Sequence, residues 1–154
     1  MHLSDFIDFS AIRTSLTARE KRGLLQRLAQ AAASQLDMDA GTIADALLER
    51  EALGSTGFGG GVAIPHGKLE GLDRVYGLVA RLDQPLDYDA IDKMPVDIVF
   101  LILSPPDAGA DHLRALAAVS RVARHGTAIE KMRGARGRDA LAAVLMGADE
   151  RTAA

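Results

Sequence analysis

Hydrophobic residues in the first third of the chain recur at spacings of three and four, which is the period of amphipathic helices. Thr17 and Glu20 have the spacing of a capping box, and the helix that they are predicted to open has an apolar face formed by Leu24, Leu25, Leu28, Ala32 and Leu36. A second helix is predicted over residues 39–51, with an apolar face formed by Ile43, Ala46 and Leu47. A short strand over residues 11–16 is predicted to precede both helices.

The middle of the chain contains two runs of β-branched and aliphatic residues, which predict strands over residues 75–82 and 96–103. The second run is apolar at nearly every position, as is typical of a central strand that is covered on both faces. Pro105 and Pro106 are predicted to end it, because proline cannot continue a strand ladder.

The last third of the chain returns to the helical period. A long helix is predicted from Asp111 to about residue 124, with an inner stripe formed by Leu113, Leu116, Ala117 and Ser120, and Gly126 is predicted to stop it. Two short helices are predicted over residues 128–133 and 138–146. Strands interleaved with helices predict an α/β fold, in which a mixed or mostly parallel β-sheet is sandwiched between helices.

Length and composition are those of one globular domain. The chain has 154 residues, of which 48% are hydrophobic and 25% charged, so we expect a single domain over residues 1–148. Residues 149–154 are expected to form a frayed tail. The N-terminus has no signal-peptide pattern and the longest apolar run, residues 98–103, is far too short to span a membrane, so a cytoplasmic, not membrane-embedded, protein is expected.

Charge and residue usage exclude several functions. The chain has no cysteine, which removes thiol nucleophiles and thiolate metal ligands. Its formal net charge is −3, its basic residues are scattered, and it contains two Tyr, four Phe and no Trp. These features argue against nucleic acid as a partner. The four histidines have no spacing typical of metal ligands, so no metal is expected.

The segment GFGGGVAIPHGK, residues 57–68, is the most unusual stretch of the sequence. It matches neither the Walker phosphate-binding loop nor the dinucleotide-binding fingerprint, because the glycine and lysine spacings of both motifs fail. The chain also lacks the His-Glu-x-x-His and Gly-x-Ser-x-Gly motifs. No nucleotide cofactor is therefore expected.

His66 is the candidate nucleophile within this segment. Pro65 restricts the backbone that enters it, and the glycines on either side allow another surface to approach the ring. A neutral imidazole is nucleophilic near pH 7 and can carry a phosphoryl group, whose oxygens then need cations or donors such as Arg50 and His112. From the residues alone, a second interpretation stays open. In it, His66 is an ordinary loop histidine, Arg50 is a charge that serves the helix dipole, and His112 is a solvated neighbour of Asp111.

Three segments together resemble the type-2 enzyme IIA proteins of the bacterial phosphoenolpyruvate-dependent phosphotransferase system. They are LLEREALGSTGFGGGVAIPHGK (47–68), MPVDIVFLILSPPD (94–107) and DHLRALAAVSRV (111–122). The resemblance extends roughly from Leu3 to Met146, and the Arg-Glu, Gly-Ser-Thr-Gly and Ile-Pro-His elements occur in the family's order. One departure is Lys93 in DKMPVD, where relatives often have Gly or Asn, so the turn type there is open.

This resemblance implies a role for each of three residues. It implies that His66 is the phosphorylated nucleophile, that Arg50 holds the phosphoryl oxygens, and that His112 donates a hydrogen bond that stabilises the phosphohistidine. It also implies the mixed sheet between helices. The implied scheme requires no cofactor and no metal, because the phosphoryl donor is itself a phosphoprotein.

Chain architecture and the segment at 54–68 make the sequence most similar to the nitrogen-regulatory branch of the family. That branch implies an HPr-like phosphocarrier protein as the donor, and regulated target proteins such as ion-transport or kinase regulators as partners. Two alternatives stay open: a separately encoded fructose- or mannitol-type enzyme IIA that passes the phosphoryl group to a IIB domain, and a non-catalytic binding module.

Overall fold

A computed structural model describes residues 1–152, which form six strands, five α-helices and two short 3-10 turns. The strands are β1 (Arg13–Leu16), β2 (Gly57–Gly59), β3 (Val62–Ala63), β4 (His66–Lys68), β5 (Tyr76–Leu86) and β6 (Val96–Ser104). The helices are α1 (Lys21–Leu36), α2 (Ala40–Ala52), α3 (Ala110–Ala123), α4 (Gly126–Gly134) and α5 (Arg138–Thr152). The 3-10 turns span Leu3–Asp5 and Phe9–Ala11. No helix within residues 1–152 is both long and apolar enough to cross a membrane.

The strands form one mixed sheet in the order β1-β5-β6-β3-β2, with β4 also paired to β6. β5 runs antiparallel to β6, whereas β3 and β4 run parallel to it on its other side. β6 is therefore the central strand, and all of its residues except Asp97 are buried. The prediction of a central strand covered on both faces is confirmed.

Successive side chains of β6 point to opposite faces of the sheet, and each face packs against its own group of helices. One core lies against α1 and α2 and includes Leu28, Ile43 and Leu101; the other lies against α3, α4 and α5 and includes Phe100 and Val119. Helices cover both faces, and the predicted α/β sandwich is confirmed.

The start of α1 differs from the prediction. Glu20 is the N-cap residue, and its side chain makes no capping hydrogen bond, so the predicted capping box with Thr17 is wrong. Hydrophobic packing of residues such as Leu24, Leu25 and Leu28 holds this helix in place without a side-chain N-cap. The end of α2 agrees with its prediction, and Asp39 caps its start by accepting a hydrogen bond from the Thr42 amide at 2.9 Å.

The predicted inner stripe of α3 is wrong at Leu113 and Ala117, which are exposed, whereas Leu116 is partly buried against the core. Its buried residues are Ala115, Ala118, Val119, Val122 and Ala123, whereas the side chain of Leu113 is 67% exposed. The phase of the helix agrees with the position of His112, which lies on the same face as Ala115 and Val119 and contacts the end of β6. Leu113 is rotated about 100° away from that face and points to solvent.

The glycine-rich segment is part of the sheet and not a free loop, since it contains β2, β3 and β4. Gly61, with a φ of +86°, lies so close to Arg133 of α4 that a Cβ there would clash with the guanidinium. A Cβ on Gly67 would lie 3.3 Å from Ala46 Cβ, so this glycine allows α2 to approach β4 closely. The segment is thus held between α2 and α4.

The C-terminal region differs from the expected frayed tail. α5 continues to Thr152, and Asp149 is buried, where its carboxylate accepts a hydrogen bond from the Leu3 amide at 2.8 Å. The expectation of fraying from Asp149 is therefore wrong for residues 149–152; residues 153 and 154 lie outside the described part. In the turn before β6, whose type the sequence left open, Lys93 adopts a positive φ of +63° and its Nζ lies 3.3 Å from an Asp89 carboxylate oxygen.

Candidate functional site

The structure brings the three predicted site residues, Arg50, His66 and His112, into one cleft. Arg50 is in the last turn of α2, His66 is the first residue of β4, and His112 is in the first turn of α3. The cleft has a volume of about 370 Å³ and is lined by Ala46, Glu49, Arg50, Leu53, His66, Gly67, Lys68 and His112. Parallel pairing of β4 with β6 positions His66 opposite Ile102, next to the point where the chain leaves the sheet for α3.

The protonation of His66 follows from one hydrogen bond. Its Nδ1 lies 2.8 Å from the carbonyl oxygen of Ile64. A carbonyl oxygen can only accept, so Nδ1 carries the ring proton and donates it. The free electron pair of the neutral ring is therefore on Nε2.

The surroundings of His66 favour its neutral form. Burial lowers the pKa of His66, the positive charge of Arg50 lowers it further, and together they outweigh the Ile64 hydrogen bond and the carboxylate of Glu51, which raise it. The ring is half-buried and remains accessible from the cleft. Near pH 7 it is thus a neutral imidazole with a free Nε2, which is the form that attacks an electrophile.

His112 lies beside His66 and is held by a different partner. The two ring centroids are 5.6 Å apart and the ring planes are tilted by 54°. His112 Nδ1 lies 2.6 Å from Ser104 Oγ at the end of β6. Burial lowers the pKa of His112, and the nearby His66 and Lys68 lower it further.

Arg50 is attached to the chain segment that follows its own helix. Its Nη1 donates to the carbonyl oxygen of Gly54 at 3.0 Å. This bond satisfies a carbonyl just beyond the end of α2, in agreement with the helix-end role that the sequence left open. It also restrains the guanidinium at the mouth of the cleft, where its charge acts on His66.

Glu51, next to Arg50, is the centre of a buried hydrogen-bond network that the sequence did not reveal. Its carboxylate accepts hydrogen bonds from Lys21 Nζ at 2.9 Å, from the Thr56 amide at 3.0 Å and from the Thr56 hydroxyl. Tyr88 also donates to it, at 3.3 Å. Burial raises the pKa of Glu51, but the bonds from Thr56 and Lys21 outweigh burial and hold the pKa below its usual value. The network fixes the turn between α2 and β2 on which Arg50 depends.

Lys68 and Ser104 are two further residues of the site that sequence reasoning missed. Lys68 had the pattern of a solvated residue, and its side chain is exposed, but it lines the cleft and its charge acts on His112. Its position two residues after His66 in a strand was the one available signal, because alternate strand residues share a face. For Ser104 the sequence contained no such signal. It predicted only that the strand ends at Pro105, and not that the Ser104 hydroxyl contacts His112.

The cleft combines a nucleophilic nitrogen with positive charge and hydrogen-bond donors, which suits a dianionic group such as phosphoryl. Arg50 and Lys68 line it from two sides. Within residues 1–152, no group of three or more His, Asp or Glu side chains is arranged to hold a metal ion.

Comparison with known proteins identifies the family to which this fold belongs. Residues 5–147 match the family described as "Phosphoenolpyruvate-dependent sugar phosphotransferase system, EIIA 2", whose fold is that of the mixed sheet between helices seen here. The chain belongs to this family, and the resemblance seen in the sequence is confirmed.

Three relatives illustrate the relationship. The nitrogen regulatory protein of Bradyrhizobium diazoefficiens is 44% identical over 145 residues, which cover 94% of this chain and 95% of that protein. The nitrogen regulatory protein of Escherichia coli K12 is 36% identical over 136 residues, covering 88% of this chain and 83% of that protein. The crystal structure of nitrogen regulatory protein IIA-Ntr from Neisseria meningitidis superimposes with a TM-score of 0.87 at 27% identity, covering 93% and 98% of the two chains.

Proposed function

We propose that this protein is a phosphohistidine carrier and regulator of the phosphotransferase system. It accepts a phosphoryl group on His66 from an HPr-like phosphocarrier protein, and its phosphorylation state determines which target proteins it binds. The observation that carries the proposal is the hydrogen bond from His66 Nδ1 to the Ile64 carbonyl, which leaves Nε2 free in a cleft lined by cationic side chains.

The transfer step needs no general base. The electron pair of His66 Nε2 attacks the phosphorus in line while the bond between phosphorus and the donor histidine breaks, and that bond's electron pair returns to the donor nitrogen. The His66 ring gains positive character, and the Ile64 carbonyl stabilises it because Nδ1 keeps its proton and its hydrogen bond. Arg50 and His112 stabilise the charge on the phosphoryl oxygens.

The surface around the cleft is suited to transient docking of a carrier. Leu53 and Leu113 are 82% and 67% exposed, and they flank the positions of Arg50 and His112. Exposed apolar side chains beside a charged cleft are typical of protein interaction sites. A phosphoryl group on His66 adds about −1.5 to −2 charges to this surface, which is sufficient to change the choice of partner.

The nitrogen-regulatory role is proposed because proteins of that name match this chain over most of their length. We expect the regulated targets to be proteins such as ion-transport or kinase regulators. The regulatory role is tested with a pull-down that compares His66→Glu, which mimics the added charge, with His66→Ala. A partner retained by one variant and lost by the other supports the switch, and an identical set of partners contradicts it.

Phosphoryl transfer is tested with purified protein, phosphoenolpyruvate and the two upstream carrier proteins, followed by intact mass measurement. We expect an acid-labile gain of one phosphoryl group in the wild type and none in His66→Ala. His125→Ala is the matched control, because it removes an exposed histidine at the start of α4. The proposal would be contradicted if His66→Ala were phosphorylated. It would also be contradicted if active carriers failed to phosphorylate the wild type, and that result would favour a binding module. Onward transfer to a IIB domain would favour the sugar-transport alternative.

A further inference from the structure

Ser104 is a buried polar residue to which neither the sequence nor the family resemblance assigned a role. It is the last residue of β6 and has no exposed surface. Its Oγ lies 2.6 Å from His112 Nδ1, and among the hydrogen bonds of residues 1–152 this is the one that involves its hydroxyl. The hydroxyl and the imidazole nitrogen can each donate or accept, so two directions of this bond are chemically possible.

Satisfaction of buried polar groups decides the direction. If His112 Nδ1 donated, the Ser104 O–H would be buried without an acceptor, which is costly and rare in folded proteins. If Ser104 donates, the hydroxyl proton and the Nδ1 electron pair are both satisfied by one bond. The second arrangement requires the ring proton of neutral His112 to be on Nε2.

We propose that Ser104 is a positioning residue, which donates its hydroxyl proton to His112 Nδ1 and thereby makes His112 Nε2 a hydrogen-bond donor to the phosphoryl group on His66. The inference rests on the proposed phosphoryl transfer for its functional part. The two histidines then have opposite tautomers: His66 presents an electron pair on Nε2, and His112 presents a proton on Nε2. One ring attacks the phosphorus, and the other donates to its oxygens.

The tautomer of His112 matters because its ring is neutral at pH 7. Burial, His66 and Lys68 all lower the pKa of His112, so one nitrogen and not both carries a proton. A proton on Nε2 attracts a phosphoryl oxygen, whereas an electron pair there would repel it. The position of Ser104 in the central strand, at the register of Lys68, keeps its hydroxyl fixed relative to β4.

The tautomer is measured directly by two-bond ¹H–¹⁵N correlation spectra of the unphosphorylated protein near pH 7.5, a pH above the ordinary histidine pKa. We expect His112 to carry its proton on Nε2 in the wild type, and the Nδ1–H tautomer to appear in Ser104→Ala. Ser104→Thr keeps the hydroxyl and is expected to restore the wild-type pattern. Ser120→Ala, a serine substitution further along α3, is the matched control and is expected to leave it unchanged. A wild-type ring with its proton on Nδ1 would overturn the proposal.

The functional consequence is measured as the rate of phosphoryl transfer from the carrier. Ser104→Ala is expected to slow transfer about threefold to tenfold, which corresponds to the net free energy of about one hydrogen bond. Ser104→Thr is expected to restore most of the rate. In the His112→Ala background, Ser104→Ala should have no further effect, because Ser104 acts through His112. An equal slowing in both backgrounds would show a general structural effect and overturn the proposal.

Failure of this inference and failure of the proposed function give different results. If the wild type is not phosphorylated but its spectra show the Nε2–H tautomer that is lost in Ser104→Ala, the tautomer assignment stands and phosphoryl transfer is wrong. If the wild type is phosphorylated on His66 but Ser104→Ala changes neither the tautomer nor the rate, the function stands and the role of Ser104 is wrong.

Discussion

The ring centroids of His66 and His112 are 5.6 Å apart, with the ring planes tilted by 54°. A different partner holds each ring through Nδ1: a backbone carbonyl for His66 and a serine hydroxyl for His112. Because burial lowers the pKa of both, the pair is neutral near pH 7 and lies in a cleft whose fixed positive charges belong to Arg50 and Lys68. Glu49 also lines the cleft, so its fixed side chains carry two positive charges and one negative charge, and this balance does not depend on protonation of the histidines.

Folding stability should decrease in mild acid because of these two histidines. The pKa of each lies below the ordinary value of 6.5 in the folded protein, so the unfolded chain binds protons first as the pH falls. The free energy of unfolding is expected to be constant above about pH 7.5 and to decrease as the pH is lowered through about 6.5. Urea titrations of the wild type and of a His66→Gln/His112→Gln double variant should show a shallower decrease in the variant. A steeper or unchanged decrease would contradict the lowered pKa values.

Arg50→Gln should slow phosphoryl transfer to His66 without unfolding the protein. Arg50 lines the cleft and acts electrostatically on His66, so the loss of its charge removes stabilisation of the phosphoryl oxygens. We expect the transfer rate to decrease about tenfold to a hundredfold. Arg27→Gln removes an equal charge from the exposed face of α1 and serves as the control. If both variants transfer at the wild-type rate, Arg50 has no role in the reaction.

Glu51→Ala should destabilise the fold. The substitution leaves Lys21, Thr56 and Tyr88 without their shared acceptor in a buried region, at a cost of about 2–4 kcal/mol. Because the pKa of Glu51 lies below its usual value of 4.5, the stabilisation is fully present above that pH and is lost as the pH falls further. Chemical denaturation at pH 7 measures the cost, with Asp45→Ala, an exposed acidic residue of α2 outside the cleft, as the control. Equal stability of the two variants would show that the network contributes nothing.

Gly61→Ala should destabilise the protein more than Gly60→Ala. Both glycines have positive φ, so each alanine incurs a backbone cost of about 1–2 kcal/mol. The Cβ at residue 61 would also displace the Arg133 guanidinium, which donates to the Gly60 carbonyl at 2.6 Å and to Asp97, whereas the space around residue 60 is open. We expect an additional cost of about 1–3 kcal/mol for Gly61→Ala in thermal or chemical unfolding. The opposite order would disprove the role of this contact.

Asp149→Ala should show that the C-terminal helix is part of the folded domain. The carboxylate accepts a hydrogen bond from the Leu3 amide, and its removal leaves a buried N–H without a partner. We expect a loss of about 1–2 kcal/mol, measured by chemical denaturation. Glu150→Ala, an exposed neighbour, should remain within about 0.5 kcal/mol of the wild type. No loss for Asp149→Ala would favour the frayed tail that the sequence suggested.

Elements with a long periodic pattern were predictable, and elements that depend on distant pairing were not. α1, α2, β5 and β6 follow from hydrophobic spacing, because each of them buries a continuous face. β2, β3 and β4 are two or three residues long and exist because they pair with β6 or with each other. The phase of α3 was missed for a similar reason, since it depends on the packing of residues such as Ala115, Val119 and Val122 against the core on one face of the sheet.

By itself the sequence determined the family, the three candidate residues and the alternation of helices and strands, because these depend on residue identity, order and period. The tertiary structure decided which atoms of those residues are available. Arg50, His66 and His112 are up to 62 residues apart in the chain. They meet because α2 packs closely on β4, β4 pairs with β6, and α3 follows β6 along the chain. Which nitrogen of each ring is free depends on hydrogen bonds to Ile64 and Ser104, and the direction of a side chain toward such partners is a property of the folded chain.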